Sequence, residues 1–301
     1  MKKAYRFFSL TLFSEHCPVI FGTKSIWNLL LVFMFLVSGC SENSSFHPER
    51  RKLLDQLVAH LRIYSVSDEN GELPLKRIGR DYDGGYVVAE KSLTAADALM
   101  GYGIADDPSF EEAFSDIYQK PSYGFDGGVK NVASKNKLFT FFSECISSDQ
   151  FLYGNQTSSG KVSTFKQQIE RLGLKNKKIF IKMDIEGGEY EAFPDILPYA
   201  DQITGIAFEL HFRSLEALRK ALSLLTEIEK NFILVHVHGN NSGRLFSAKG
   251  MKGEAPYVME LTYINKNLVT VAHLSKNQKH PQSLDMPNIP SRPDREFEIL
   301  I

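Results

Sequence analysis

The sequence predicts an α/β architecture: a mostly parallel sheet with helices on both faces and an antiparallel last strand. Two patterns carry this. Between Ala95 and Asn265, apolar runs of strand length alternate with amphipathic helical stretches, as expected for a parallel sheet buried on both sides. The last two strand-like runs, "FILVHVHGN" and "YVMELTYIN", are joined by a polar, glycine-bearing loop without a convincing helix. Parallel neighbours need a crossover, whereas antiparallel ones can be joined by a loop, so the final strand is expected to run backwards. With 301 residues, 43% of them hydrophobic, the chain can bury one sizeable core.

The elements follow in order. The N-terminal segment, residues 1–45, stands apart from the fold. Lys2, Lys3, Arg6 and Lys24 precede "SIWNLLLVFMFLVSGC", whose apolar core is short of the roughly 20 residues of a membrane span. Val37-Ser38-Gly39-Cys40 resembles a bacterial lipoprotein processing box, with polar "SENSS" as the tether. The expectation is a membrane-anchored protein, lipidated at Cys40; the alternatives are an uncleaved anchor or a mis-assigned start ahead of a cytoplasmic protein. The main domain is expected over residues 46–274. Leu53, Leu54, Leu57, Val58 and Leu61 recur at helical spacing after Pro48, giving an amphipathic packing helix. In "IGRDYDGGYVVAE", Asp83-Gly84-Gly85 marks a hairpin turn.

The first sheet strand reads through Met100, followed by a turn at Gly101 and Gly103 and a helix capped by Asp107 with Pro108 at its first position. Glycines ahead of a helix N-terminus allow close approach of a nucleotide-like or carboxylate-bearing ligand. "PSYGFDGG" supplies a second strand ending in Asp126, where an acid can accept hydrogen bonds from ribose hydroxyls. "KLFTFFSECISS" is the third strand, and a helix from about Ser163 stops at Gly173. "IFIKMDIEGGE" is the fourth, "ITGIAFELHF" the fifth and "FILVHVHGN" the sixth, with a helix capped by Ser214 between the last two. Residues 275–301 form a polar, proline-rich tail with an apolar end, expected to be extended.

This Rossmann-like arrangement brings strand ends to a common edge. Asp184 and Glu186 end the fourth strand, Glu209 and His211 the fifth, and His236 and His238 the sixth. A spacing of two puts each pair on one strand face. These residue types suit proton abstraction from an acceptor. Alternatively, His211, His236 and His238 offer three nitrogens to a metal ion.

"IKMDIEGGE" looks like the K-x-D-x-E-G signature of FkbM-type methyltransferases. "IGRDYDGGYVV", "GYGIADDPSFE" and "YGFDGG" resemble segments of a related methyltransferase-like group, the match covering roughly Leu75 to Lys266. The tail segment "LDMPNIPSRPD" is similar to tails in that group. The first glycine turn departs from the common pattern: it lacks the acid ahead of the first glycine, and the third glycine.

The resemblance implies a class I methyltransferase fold, S-adenosylmethionine as cofactor, and an O or N acceptor, a small molecule or a lipid-linked glycan. On that reading Gly101, Gly103, Asp126 and Asp184 bind the donor, and Asp184, Glu209 and His211 are the catalytic candidates. Arg80, Asp83, Glu186, His236 and His238 face substrate. A non-catalytic, membrane-tethered binding module is the competing class. A net charge of -1 gives no electrostatic footprint for nucleic acid. Of Cys17, Cys40 and Cys145, only Cys145 lies in the folded part, so no disulfide framework is expected there.

Overall fold

The computed structural model describes residues 48–147 and 161–301. The leader and Cys40 lie outside the described residues. Among the described residues no helix is long and apolar enough to cross a membrane, and Cys145 is a free thiol.

Seven strands form the central sheet: β1 (Ala98–Tyr102), β2 (Ser122–Phe125), β3 (Phe139–Phe142), β4 (Ile179–Met183), β5 (Ile203–His211), β6 (Phe232–Gly239) and β7 (Val258–Asn265). Their order across the sheet is β6-β7-β5-β4-β1-β2-β3. Strands β1 to β5 pair in parallel, and β7 runs antiparallel to both β5 and β6. The loop joining β6 to β7 carries short extended segments but no helix, which is why β7 can return only as an antiparallel strand.

Alternation along the strands sorts the core into two layers. Ala98, Met100 and Tyr102 of β1, Ile179, Ile181 and Met183 of β4, and Ile206, Phe208 and Leu210 of β5 pack on one face. Leu99, Phe180 and Ala207 pack on the other. The first face is covered by α1 (Pro48–His60), α4 (Phe165–Arg171), α5 (Glu189–Ile196) and α6 (Leu215–Ile228). The second is covered by α2 (Glu90–Ala95), α3 (Ser109–Tyr118) and the hairpin Leu75–Ile78/Tyr86–Ala89. In α6 the buried stripe Leu218, Ala221, Leu225 and Ile228 follows the helical repeat.

Helix starts follow local chemistry. Thr164 and Gln167 form a reciprocal capping box on α4, and Ser214 Oγ accepts from Ala217 N at 3.0 Å to cap α6. Ser214→Ala is expected to lower stability by about 1 kcal/mol in urea denaturation. Asp107 stands one residue further out than expected: α3 begins at Ser109, whose backbone N–H and hydroxyl both donate to the Asp107 carboxylate.

The tail is less free than its composition implies. Lys279–His280 and Phe297–Ile299 join Met251–Gly253 in a three-stranded sheet. Between them Asn241 Nδ2 donates to the Ile289, Arg292 and Pro293 carbonyls.

Candidate functional site

The chain crosses from one side of the sheet to the other between β1 and β4, the place where open α/β sheets bind ligands outside their strand ends. A cleft of about 560 Å³ lies there. It is lined by Tyr102, Gly103 and Ala105 after β1, Phe125, Asp126 and Gly127 after β2, Asp184 to Glu186 after β4, and Asp83 of the hairpin turn. A hollow of about 600 Å³ lies between α5 and α6, but its Lys220 and Lys230 are already paired with Glu191 and Glu227.

The loops around the cleft are stitched together by main-chain bonds. Gly103 N donates to Phe125 O at 2.9 Å and Asp184 N to Tyr102 O at 3.0 Å. Gly103 has φ +69°, and a Cβ there would stand 1.6 Å from Asp184 O, so the turn requires glycine. Asp126 Oδ2 accepts from Ala105 N at 2.9 Å and Oδ1 from Gly128 N at 2.8 Å. This fixes the carboxylate while leaving about two of its four lone-pair sites for a ligand. Tyr102, Phe125 and Phe142 stack beneath with ring centroids 5.1 and 5.2 Å apart. Glu144 closes one wall, held in a bidentate pair by Arg171 at 3.0 and 2.9 Å.

Beyond Asp184 the cleft becomes acidic. Asp184 Oδ1 is buried with no hydrogen-bond partner, and burial, then the charge of Glu209, push its pKa up to about 7. His211 Nδ1 lies 3.0 Å from Glu189 Oε1. Its Nε2 lies 3.0 Å from Glu209 Oε2 and 3.3 Å from Glu186 Oε2, close ionic contacts not aligned as hydrogen bonds. Burial alone would depress the His211 pKa; the Glu189 hydrogen bond and the Glu209 carboxylate outweigh it and push it up to about 10. Asn240 Nδ2 donates to Glu209 Oε1, and Lys182 Nζ sits 5.3 Å from the Tyr86 ring centroid.

The structure therefore brings Gly103, Asp126, Asp184, Glu186, Glu209, His211 and Asp83 to one rim, with four corrections to the sequence reading. Gly101 does not belong to the turn. It sits inside β1 with its Cβ position facing the Glu111 carboxylate, because β1 extends two residues further to match β4. Asp184 and Glu186 are not a pleated pair: β4 ends at Met183, and Glu186, at φ +54°, is turned back by the loop.

The third correction concerns His236 and His238, which do not join His211. His236 Nε2 meets Asp285 Oδ1 at 3.1 Å, and His238 lies between Glu260 at 3.2 Å and Asp294 at 3.0 Å. The three-histidine set is therefore not assembled. Arg80 does not line the cleft; its Nε bonds Asp107 Oδ2 at 2.9 Å and so holds the hairpin turn that presents Asp83. Glu189, Glu144 and Asn240 were not singled out as site residues from sequence; Glu189 stood within the fourth-strand motif itself.

No family model and no curated protein matches the chain. Among solved structures, a fibrillarin/Nop5p complex aligns over 57% of this chain and 73% of that one, at 11% identity and a TM-score of 0.33. A Methanococcus jannaschii fibrillarin pre-rRNA processing protein aligns over 66% and 91%, at 6% identity and a TM-score of 0.32. Likenesses this low carry no argument, so the sheet itself decides the fold. Its strand order, 3-2-1-4-5-7-6 with the seventh strand reversed, is that of class I methyltransferases.

Proposed function

We propose that the chain is an S-adenosylmethionine-dependent methyltransferase acting on an O or N acceptor, of the FkbM-like kind that "IKMDIEGGE" resembles. The observation supporting this reading most directly is the cleft at the β1/β4 crossover, where Gly103, Asp126 and Asp184 meet in a sheet of methyltransferase order. Gly103 lets the β1 and β4 loops close on each other at the edge of the cleft, Asp126 accepts from the ribose hydroxyls, and the apolar Tyr102–Phe125 floor takes the adenine end. The acceptor enters from the acidic side, over Asp184 and Glu186. Its oxygen or nitrogen forms the new bond to carbon as the S–CH₃ bond breaks; the donor leaves as a neutral thioether, and Glu209 takes the acceptor proton. A carboxylate suffices because the sulfonium already activates the methyl group, and alignment contributes most of the acceleration.

Calorimetry on the intact chain with S-adenosylmethionine and its demethylated product tests this. Binding is expected at one site, weakened roughly 10- to 100-fold in Asp126→Ala through loss of charge-assisted hydrogen bonds. Absence of binding by the folded wild type would overturn the reading. Donor binding without methyl transfer to any glycan or small-molecule acceptor would leave a binding module instead.

A further inference from the structure

We propose that Asp184, Glu186 and His211 hold a divalent metal ion on the acceptor side of the cleft. One ligand atom from each lies within 4.8 Å of the other two, a spacing a single ion can bridge. Proximity of acids alone means little; the imidazole gives the cluster direction. His211 is 6% exposed, and its Nδ1 is taken by Glu189 Oε1 at 3.0 Å, from a fully buried Glu189. That contact fixes the ring and turns Nε2 towards the Glu209 and Glu186 carboxylates, 3.0 and 3.3 Å away, with Asp184 within 4.8 Å of the cluster, the carboxylate–histidine support typical of metal-ligating imidazoles. Nε2 has no hydrogen-bond partner despite its burial, and neither has the buried Asp184 Oδ1. Buried polar atoms without an aligned partner are costly, and one cation set among these acids resolves both.

Glu186 completes the set from the solvent side. Its backbone takes φ +54°, unfavourable for a residue with a Cβ, and the loop so formed returns its side chain to 3.3 Å from His211 Nε2 while leaving it 74% exposed. The site is thus open on one side, with an entry path and free coordination positions. Two carboxylates and one imidazole suit a first-row divalent ion such as Mn²⁺ or Zn²⁺ better than Mg²⁺ or Ca²⁺, which prefer all-oxygen sets.

The role of the ion rests on the transferase reading, although its binding does not. The free positions take oxygens of the acceptor, which selects an acceptor able to chelate through two neighbouring oxygens, such as a vicinal diol of a sugar or a hydroxy acid. Coordination lowers the pKa of the bound hydroxyl, so Glu209 can remove its proton near neutral pH.

The test is titration of the chelator-stripped, full-length chain with Mn²⁺, followed by electron paramagnetic resonance, and with Zn²⁺ by calorimetry, in the absence of donor. One ion per chain is expected, with affinity reduced at least about tenfold in Glu186→Gln and in Asp184→Asn. Glu186 is exposed, so its variant keeps the fold even if the Asp184 variant does not; circular dichroism verifies both. No stoichiometric binding of either ion, or binding unchanged in a folded Glu186→Gln, overturns the proposal. Donor calorimetry on the same preparation separates the two readings: ion binding without donor binding refutes the transferase and leaves the metal site, and the converse refutes the metal site alone.

Discussion

Gly103→Ala is expected to cost about 2–5 kcal/mol of stability and to abolish donor binding. Two effects combine. An alanine at φ +69° is strained by roughly 1–2 kcal/mol, and its Cβ would stand 1.6 Å from the Asp184 carbonyl oxygen. That neighbour is backbone, held by the Asp184 N to Tyr102 O bond, so it cannot swing aside. The β1 and β4 loops must separate, which adds about 1–3 kcal/mol and moves Asp184 out of the cleft. Gly187→Ala is the control: φ is +104° but nothing lies within 4 Å of its Cβ position, so strain alone operates and about 1–2 kcal/mol is expected. Urea denaturation of the two variants measures the difference. Equal stabilities would show that the loops are not interlocked.

Much of this arrangement was legible in the sequence because it depends on local patterns. Strand and helix alternation, the Ser214 cap and the helix-free connection before β7 each leave a signature in a dozen residues or fewer. What escaped depends on pairing between distant segments. Whether β1 stops at Met100 or Tyr102 is set by its register with β4, Tyr102 standing opposite Met183, and this is why Gly101 reads as part of the turn alongside Gly103. Glu189 reads as an ordinary first-turn acid of α5 until β5 delivers His211 beside it. The tail's partners were hidden for the same reason. Proline and polar residues imply an extended chain, yet Asp285, Asn288 and Asp294 find His236, Glu260 and His238 already buried on β6 and β7.

Those tail contacts carry the other large effect. His238, 1% exposed, is the cation between Glu260 and Asp294. Burial alone would lower its pKa, but the two carboxylates hold it well above the usual histidine value. Removing it in His238→Ala leaves two carboxylates facing each other in a buried site, a loss of about 3–5 kcal/mol, and loosens residues 281–296, so limited proteolysis is expected to cut there first. The pH response follows from the sign of the shifts. A raised histidine pKa contributes stability that is fully present below about 6.5 and lost as pH climbs through the folded value, so alkali should free the tail of the wild type but not further affect His238→Ala. His280, in the same tail, works oppositely: burial, then the neighbouring His236, push it down to about 4. Its neutral form is favoured in the fold, and acidification from 6.5 to about 4 removes about 3 kcal/mol at roughly 1.4 kcal/mol per pH unit. Tail protection should therefore peak between these limits. Protease resistance that rises steadily with acidity down to pH 4 would contradict the assignment of His280 as a buried neutral group.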